Sequence, residues 1–87
     1  MKKLTQKQKD FLIILFDHRT QFPDGLTLSE TKELTNIAFK TPEIIGLANR
    51  GYITYKHEPV AGKLTFTSRY KLIDGIDKQL LAILLSK

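Results

Sequence analysis

The sequence predicts an α+β domain, with a three-helix core, a two- or three-stranded β-unit built on a hairpin, and an extra C-terminal helix. Three observations predict it. Apolar residues recur with a helical period from Leu4 to about Thr20, whereas Tyr52 to His57 and Leu64 to Leu72 are rich in β-branched and aromatic residues. Turn-forming stretches, Phe22-Pro23-Asp24-Gly25, Gly51 and Glu58-Pro59-Val60-Ala61-Gly62, fall between the periodic ones. Finally, 87 residues that are 41% hydrophobic suffice for one core and no more. Without cysteine that core has neither a disulfide nor a thiolate–zinc staple to help it.

Each element has its own justification. The first helix opens with Thr5 as N-cap and Gln8 three residues on, the spacing of a capping box, with Leu4 as the hydrophobic staple. Phe11, Leu12, Leu15 and Phe16 form one broad face with Ile14 beside Phe11, and the helix is expected to end near Gln21. Leu26 is expected to add a short β-arm to the hairpin. Thr27 or Ser29 then caps a second helix, and Ser29 as cap would place Glu30 and Glu33 in the first turn, near the positive end of the helix dipole. Leu28 and Leu34 are its apolar anchors, Thr35-Asn36 its end, and Ile37-Ala38-Phe39 the link that docks the turn.

A third helix runs from Pro42 to about Arg50, with Thr41 as N-cap, Pro42 in the first turn and Gly51 as stop. Ile44, Leu47 and Ala48 face the core with Ile45 at the margin, leaving Glu43, Gly46, Asn49 and Arg50 on the opposite face. Gly46 costs that helix about 1 kcal/mol relative to Ala. In the hairpin, Ile53 and Tyr55 alternate with Tyr52, Thr54 and Lys56, while Leu64, Phe66 and Tyr70 or Leu72 pack opposite them, with any bulge near Ser68 resetting the register. Lys56, Lys63, Arg69 and Lys71 are left for solvent or phosphate.

The final segment, Asp74 to Lys87, reads as a helix capped by Asp74 or Asp77. Ile76, Leu80, Ile83 and Leu84 make one stripe that Leu81 and Leu85 widen beyond what a small core needs. A homodimer through these six residues is therefore expected, against the alternative that the helix packs wholly on the first. Asp74-Gly75 is the only candidate boundary, dividing residues 1–73 from a terminal element at 74–87.

Charge and composition narrow the function. Fourteen Lys and Arg against nine Asp and Glu give a net charge of +5 and a pI near 9.6, which favours anionic partners. Between Lys40 and Lys71 six basic residues face only Glu43 and Glu58, whereas Asp17 to Glu33 is acidic. The apolar run Phe11 to Phe16 is far short of the roughly 20 residues of a membrane span, so no membrane partner and a cytoplasmic location are expected, in line with the missing cysteine. His18 and His57 are isolated, and neither a phosphate loop nor a nucleophile motif is present. No enzymatic activity, metal or cofactor is expected. His18 reads as a helix C-terminal residue and His57 as part of the hairpin.

These residues resemble the winged helix-turn-helix superfamily of bacterial and phage regulators. Leu4-Thr5 with Gln8, Asp17-His18, Thr27 to Glu30 and Phe39-Lys40-Thr41-Pro42 resemble the DNA-binding domain of the LexA repressor family. Leu47 to Ile53, LANRGYI, is similar to a helix-end and first-strand pattern of many winged helices, those of MarR type included. The resemblance covers most of residues 4–72 and implies a transcriptional regulator that binds double-stranded DNA. It implies Lys40 and Thr41 on phosphate, Glu43, Asn49 or Arg50 toward bases, and Lys56, Lys63 and Arg69 laying the wing along the backbone. The interval from Pro42 to Gly51 is shorter than the resemblance requires, and no autoproteolytic domain is expected to accompany it. The wing, more than the recognition helix, is therefore expected to carry the nucleic-acid affinity. The alternative is a winged-helix interaction module of phage or mobile-element type that docks on a host protein complex, motivated by Pro42-Glu43 with Gly46 and by the apolar last helix.

Overall fold

In the computed structural model, which describes residues 3–86, the chain runs α1 (Gln6–Asp17), β1 (Leu26–Thr27), α2 (Leu28–Thr35), α3 (Thr41–Asn49), β2 (Ile53–Pro59), β3 (Phe66–Leu72) and α4 (Lys78–Leu85). It is an α+β structure of four helices and a three-stranded antiparallel sheet in the order β1-β3-β2.

The Thr5 capping box forms as expected: the Gln8 N–H donates to Thr5 Oγ1 at 3.1 Å, and the Thr5 N–H donates to Gln8 Oε1 at 2.9 Å. The helix stops at Asp17, earlier than the expected Gln21, because His18 leaves helical geometry and caps the end, its N–H on the Ile14 carbonyl at 3.1 Å. The Phe22–Gly25 turn closes at 2.9 Å. Gly25 then meets β3 so closely that an added Cβ would lie 2.2 Å from the Tyr70 carbonyl oxygen, and its φ of +97° suits only glycine. That approach lets Leu26 and Thr27 pair with Tyr70 and Arg69 as the third strand.

The cap of α2 is Thr27 rather than Ser29, again a complete capping box, with Glu30 as the reciprocal partner. Glu33 therefore falls outside the first turn. The inward face is Leu28, Thr31 and Thr35, at i, i+3 and i+7; Thr31 is fully buried and donates to the Thr27 carbonyl at 2.9 Å. Leu34 lies off that face and is exposed, so it is no anchor. Asn36 ends the helix in the left-handed region, a conformation its short amide tolerates.

Helix α3 begins one residue earlier than expected. Lys40 is the N-cap, without a side-chain cap bond, because its carbonyl takes the first helical N–H groups, those of Glu43 and Ile44; Thr41 and Pro42 lie inside the helix. Gly46 does not face outward. A Cβ there would lie 3.0 Å from Gln8 Nε2, which donates to the Glu43 carbonyl at 2.9 Å, so the glycine lets α3 approach α1. Gly51, with φ +79°, follows the C-cap Arg50 as the expected stop.

One core joins all layers: Phe11, Leu12, Ile14 and Leu15 from α1, Ile44 and Leu47 from α3, Leu26, Ile53 and Tyr70 from the sheet, and Ile76, Leu81 and Leu84 at the C-terminal end. Each fully buried large side chain contributes about 1.5–3 kcal/mol before chain entropy is charged against it. Phe11 is central, packed edge-on against Phe39 at 5.1 Å and Tyr70 at 5.9 Å between ring centroids.

Strands β2 and β3 pair without a bulge from Ile53↔Leu72 to Pro59↔Phe66, so nothing resets the register near Ser68. Opposed residues share a face, which puts Ile53, Tyr55, His57 and Pro59 with Leu72, Tyr70, Ser68 and Phe66 on the core side. Only the inner end of that face is covered. Seven residues per strand reach about 23 Å, more than the helices beneath span. Phe66 is thus 71% exposed, and Leu64 in the connecting turn is fully exposed, against the expectation that Leu64 and Phe66 pack; Tyr55, level with buried Tyr70 but on the edge strand β2, is 44% exposed.

Asp77, not Asp74, caps α4 by accepting the Leu80 N–H at 2.8 Å; Gly75, at φ +89°, breaks the chain between them. The helix packs on α1. Lys87, part of the expected final helix, lies outside the described residues, as do residues 1–2.

Candidate nucleic-acid interface

Arg69 stands at the centre of the sheet's outer face, directly across from Lys56 and Thr27. Its Nη1 donates to Glu30 Oε1 at 2.7 Å and to the Gly25 carbonyl at 3.0 Å, and its Nε donates to Glu58 Oε1 at 3.0 Å. Glu30 Oε1 also accepts the Thr27 N–H at 2.9 Å. One guanidinium thereby ties the Gly25 turn, the α2 cap and both long strands together. The hydrogen bond to Glu58 and the charges of Glu30 and Glu58 outweigh the cost of burial and hold its pKa above the ordinary value. Since the folded state binds that proton more tightly, the stabilisation is present below the ordinary guanidinium value and lost only above it. Expected on phosphate, Arg69 is instead engaged inside the protein.

The other expected contacts divide into two groups. Lys40 and Thr41 are exposed at the start of α3, while Asn49, exposed, and Arg50, half-buried, stand at its far end, about 12 Å away along the axis. Glu43 is half-buried, its carbonyl held by Gln8. Lys56 is exposed on the outer face of β2, and Lys63 is exposed in a tight turn, where its N–H donates to the Val60 carbonyl at 3.1 Å. Neither forms an ion pair among the described residues.

Thr41 and the outer half of β3 come together. A shallow hollow is lined by Leu28 and Ser29 of α2, Thr41 of α3, and Phe66, Thr67, Ser68 and Tyr70 of β3; a second, on the same hairpin face, is lined by His57, Phe66 and Ser68. No carboxylate lines either. His57 Nδ1 and Ser68 Oγ lie 3.0 Å apart, and the His57 ring is edge-on to Tyr55 at 5.6 Å. Tyr55 in turn lies 5.9 Å from Tyr70, so the rings Phe39, Phe11, Tyr70, Tyr55 and His57 form a continuous row from the core out along the hairpin. Ser29, His57, Phe66 and Ser68 were not marked by charge or motif. No local pattern in the sequence marks them, because how much of the hairpin the helices cover is set by long-range packing.

Of the six residues expected to dimerise, Ile76, Leu81 and Leu84 are buried in the chain's own core and Leu85 is half-buried. Leu80 and Ile83, one turn apart, remain exposed. Among the described residues no helix is long and apolar enough to cross a membrane, and no group of three or more His, Cys, Asp or Glu is placed to hold a metal. No protein-family model, curated protein or solved structure matches this chain.

Proposed function

We propose that the chain is a small winged-helix protein that binds double-stranded DNA and acts as a regulator, holding phosphates mainly through its wing, the β2–β3 hairpin. The observation that carries this reading is the pair of exposed, unpaired lysines on the projecting hairpin, Lys56 and Lys63, with Lys40 at the start of α3 on the adjoining edge. On a chain of net charge +5 these groups give a phosphate-binding edge, while α3 offers only Asn49 and Arg50 at its far end for base edges. Affinity with little sequence preference follows.

Salt dependence tests it. Each phosphate contact contributes about −0.9 to the slope of log K against log salt, so three lysine contacts give roughly −3 on unrelated duplexes. No retardation of any duplex at low salt and micromolar protein would sink the proposal. A second reading, a protein-docking module, is favoured by the exposed Leu80 and Ile83 of α4. Under that reading, a Leu80→Ser/Ile83→Ser double variant loses its partner while any DNA binding is untouched.

A further inference from the structure

The duplex reading leaves the aromatic face of the hairpin unused. Phe66 is 71% exposed, Tyr55 nearly half exposed, and His57 exposed, all on the core-side face of the hairpin: Phe66 and His57 toward its outer end, and Tyr55 on the edge strand β2 across from buried Tyr70. A buried role is excluded for Phe66, and its position is fixed by an uninterrupted strand register. Around it the chemistry is specific in kind: hydroxyls from Ser29, Thr41 and Ser68 line the hollows on either side, no carboxylate does, and Glu58 is turned to the opposite face and held by Arg69. Lys63 stands at the tip of the same hairpin and Lys40 next to Thr41.

An exposed ring, neutral donors and acceptors, and cations at both borders match an unstacked base with its flanking phosphates. They match an acidic or purely apolar partner poorly, because the former has no use for the ring and the latter none for the hydroxyls and lysines. Sequence-tolerant single-strand binding rests on this combination of stacking surface and positive border.

We propose that this face binds single-stranded nucleic acid, with one base stacked on Phe66, its neighbour over Tyr55 and His57, and the connecting phosphates on Lys63 and Lys40. The inference rests on the proposed nucleic-acid function and assigns a second mode of binding to the same hairpin. Duplex phosphates meet the outer edge through Lys56, whereas unpaired bases meet the aromatic face. The chain would then favour duplex ends, forks or gaps over continuous duplex.

Fluorescence anisotropy of a labelled oligothymidylate of about ten nucleotides, a length within known single-strand site sizes, tests this beside a duplex of equal length and an abasic strand with the same backbone. The expected result is that Phe66→Ala weakens the oligothymidylate roughly tenfold or more, leaves the duplex and the abasic strand unchanged, and is rescued by Phe66→Trp. Circular dichroism should show both variants folded, since Phe66 supports no core. Equal binding of oligothymidylate by wild type and Phe66→Ala would overturn the stacking proposal while leaving duplex binding standing. Failure of all three probes would overturn the underlying nucleic-acid reading as well. A concentration-dependent rise in mass that Phe66→Ala abolishes would give the face to a second copy of the chain and overturn the proposal.

Discussion

The two ends of the β2–β3 hairpin carry the same alternation and end in opposite environments. At the inner end Ile53 and Tyr70 are almost wholly buried, with Phe11 packed against Tyr70 and Arg69 fastening the reverse face. Toward the outer end His57 and Phe66 point to the same side and meet solvent, as does Tyr55 on the edge strand β2, across from Tyr70. Period-two patterning selects a face of the sheet; the extent of the helices decides how much of that face becomes core. What extends past the helices is surface available for binding, and its conformation is inherited from the packed half.

Substitutions on either side of that divide should separate by size. Tyr70→Ala removes a ring between Phe11 and Tyr55 and should cost about 3–5 kcal/mol in urea unfolding; Phe66→Ala, four residues away in the same strand, should stay within about 0.5 kcal/mol of wild type. Equal costs would erase the distinction. Gly25→Ala should cost about 2–4 kcal/mol, because the new methyl meets the Tyr70 carbonyl in a left-handed conformation. Its unfolding midpoint should fall, and so should the protection of Leu26 and Thr27 amides from hydrogen exchange. Arg69→Met keeps much of the side chain's length and removes the guanidinium from Glu30, Glu58 and Gly25. A loss of about 1–2 kcal/mol is expected, limited by partial exposure of the pairs, with high salt narrowing the difference.

The local rules were legible in the sequence wherever a short-range signal decides the outcome. Thr5 with Gln8, the Phe22–Gly25 turn, the Leu26 arm and the Gly51 stop all stand as read. Long-range encounters were not legible. By sequence Gly46 is a weak point on an outward face, whereas in the fold it lies against Gln8; by sequence Arg69 is a phosphate ligand, whereas in the fold Glu30, Glu58 and Gly25 converge on it. The aromatic face was hidden for the same reason, because no stretch of sequence states where the helices beneath a strand come to an end. The C-terminal stripe reads as a dimer face with packing on α1 as the alternative; in the fold Leu81 and Leu84 are buried and α4 packs on α1, so only Leu80 and Ile83 of that helix's stripe stay exposed.

The central claim is that the projecting hairpin is a phosphate-binding surface whose exposed lysines, Lys56 and Lys63, do nothing for the fold, unlike Arg69. Lys56→Glu/Lys63→Glu, measured in parallel for duplex affinity at low salt and for thermal unfolding, tests it most directly. The account predicts that duplex affinity falls at least tenfold with a shallower salt slope while the unfolding midpoint stays where it was. Undiminished duplex binding by the reversed variant would contradict it.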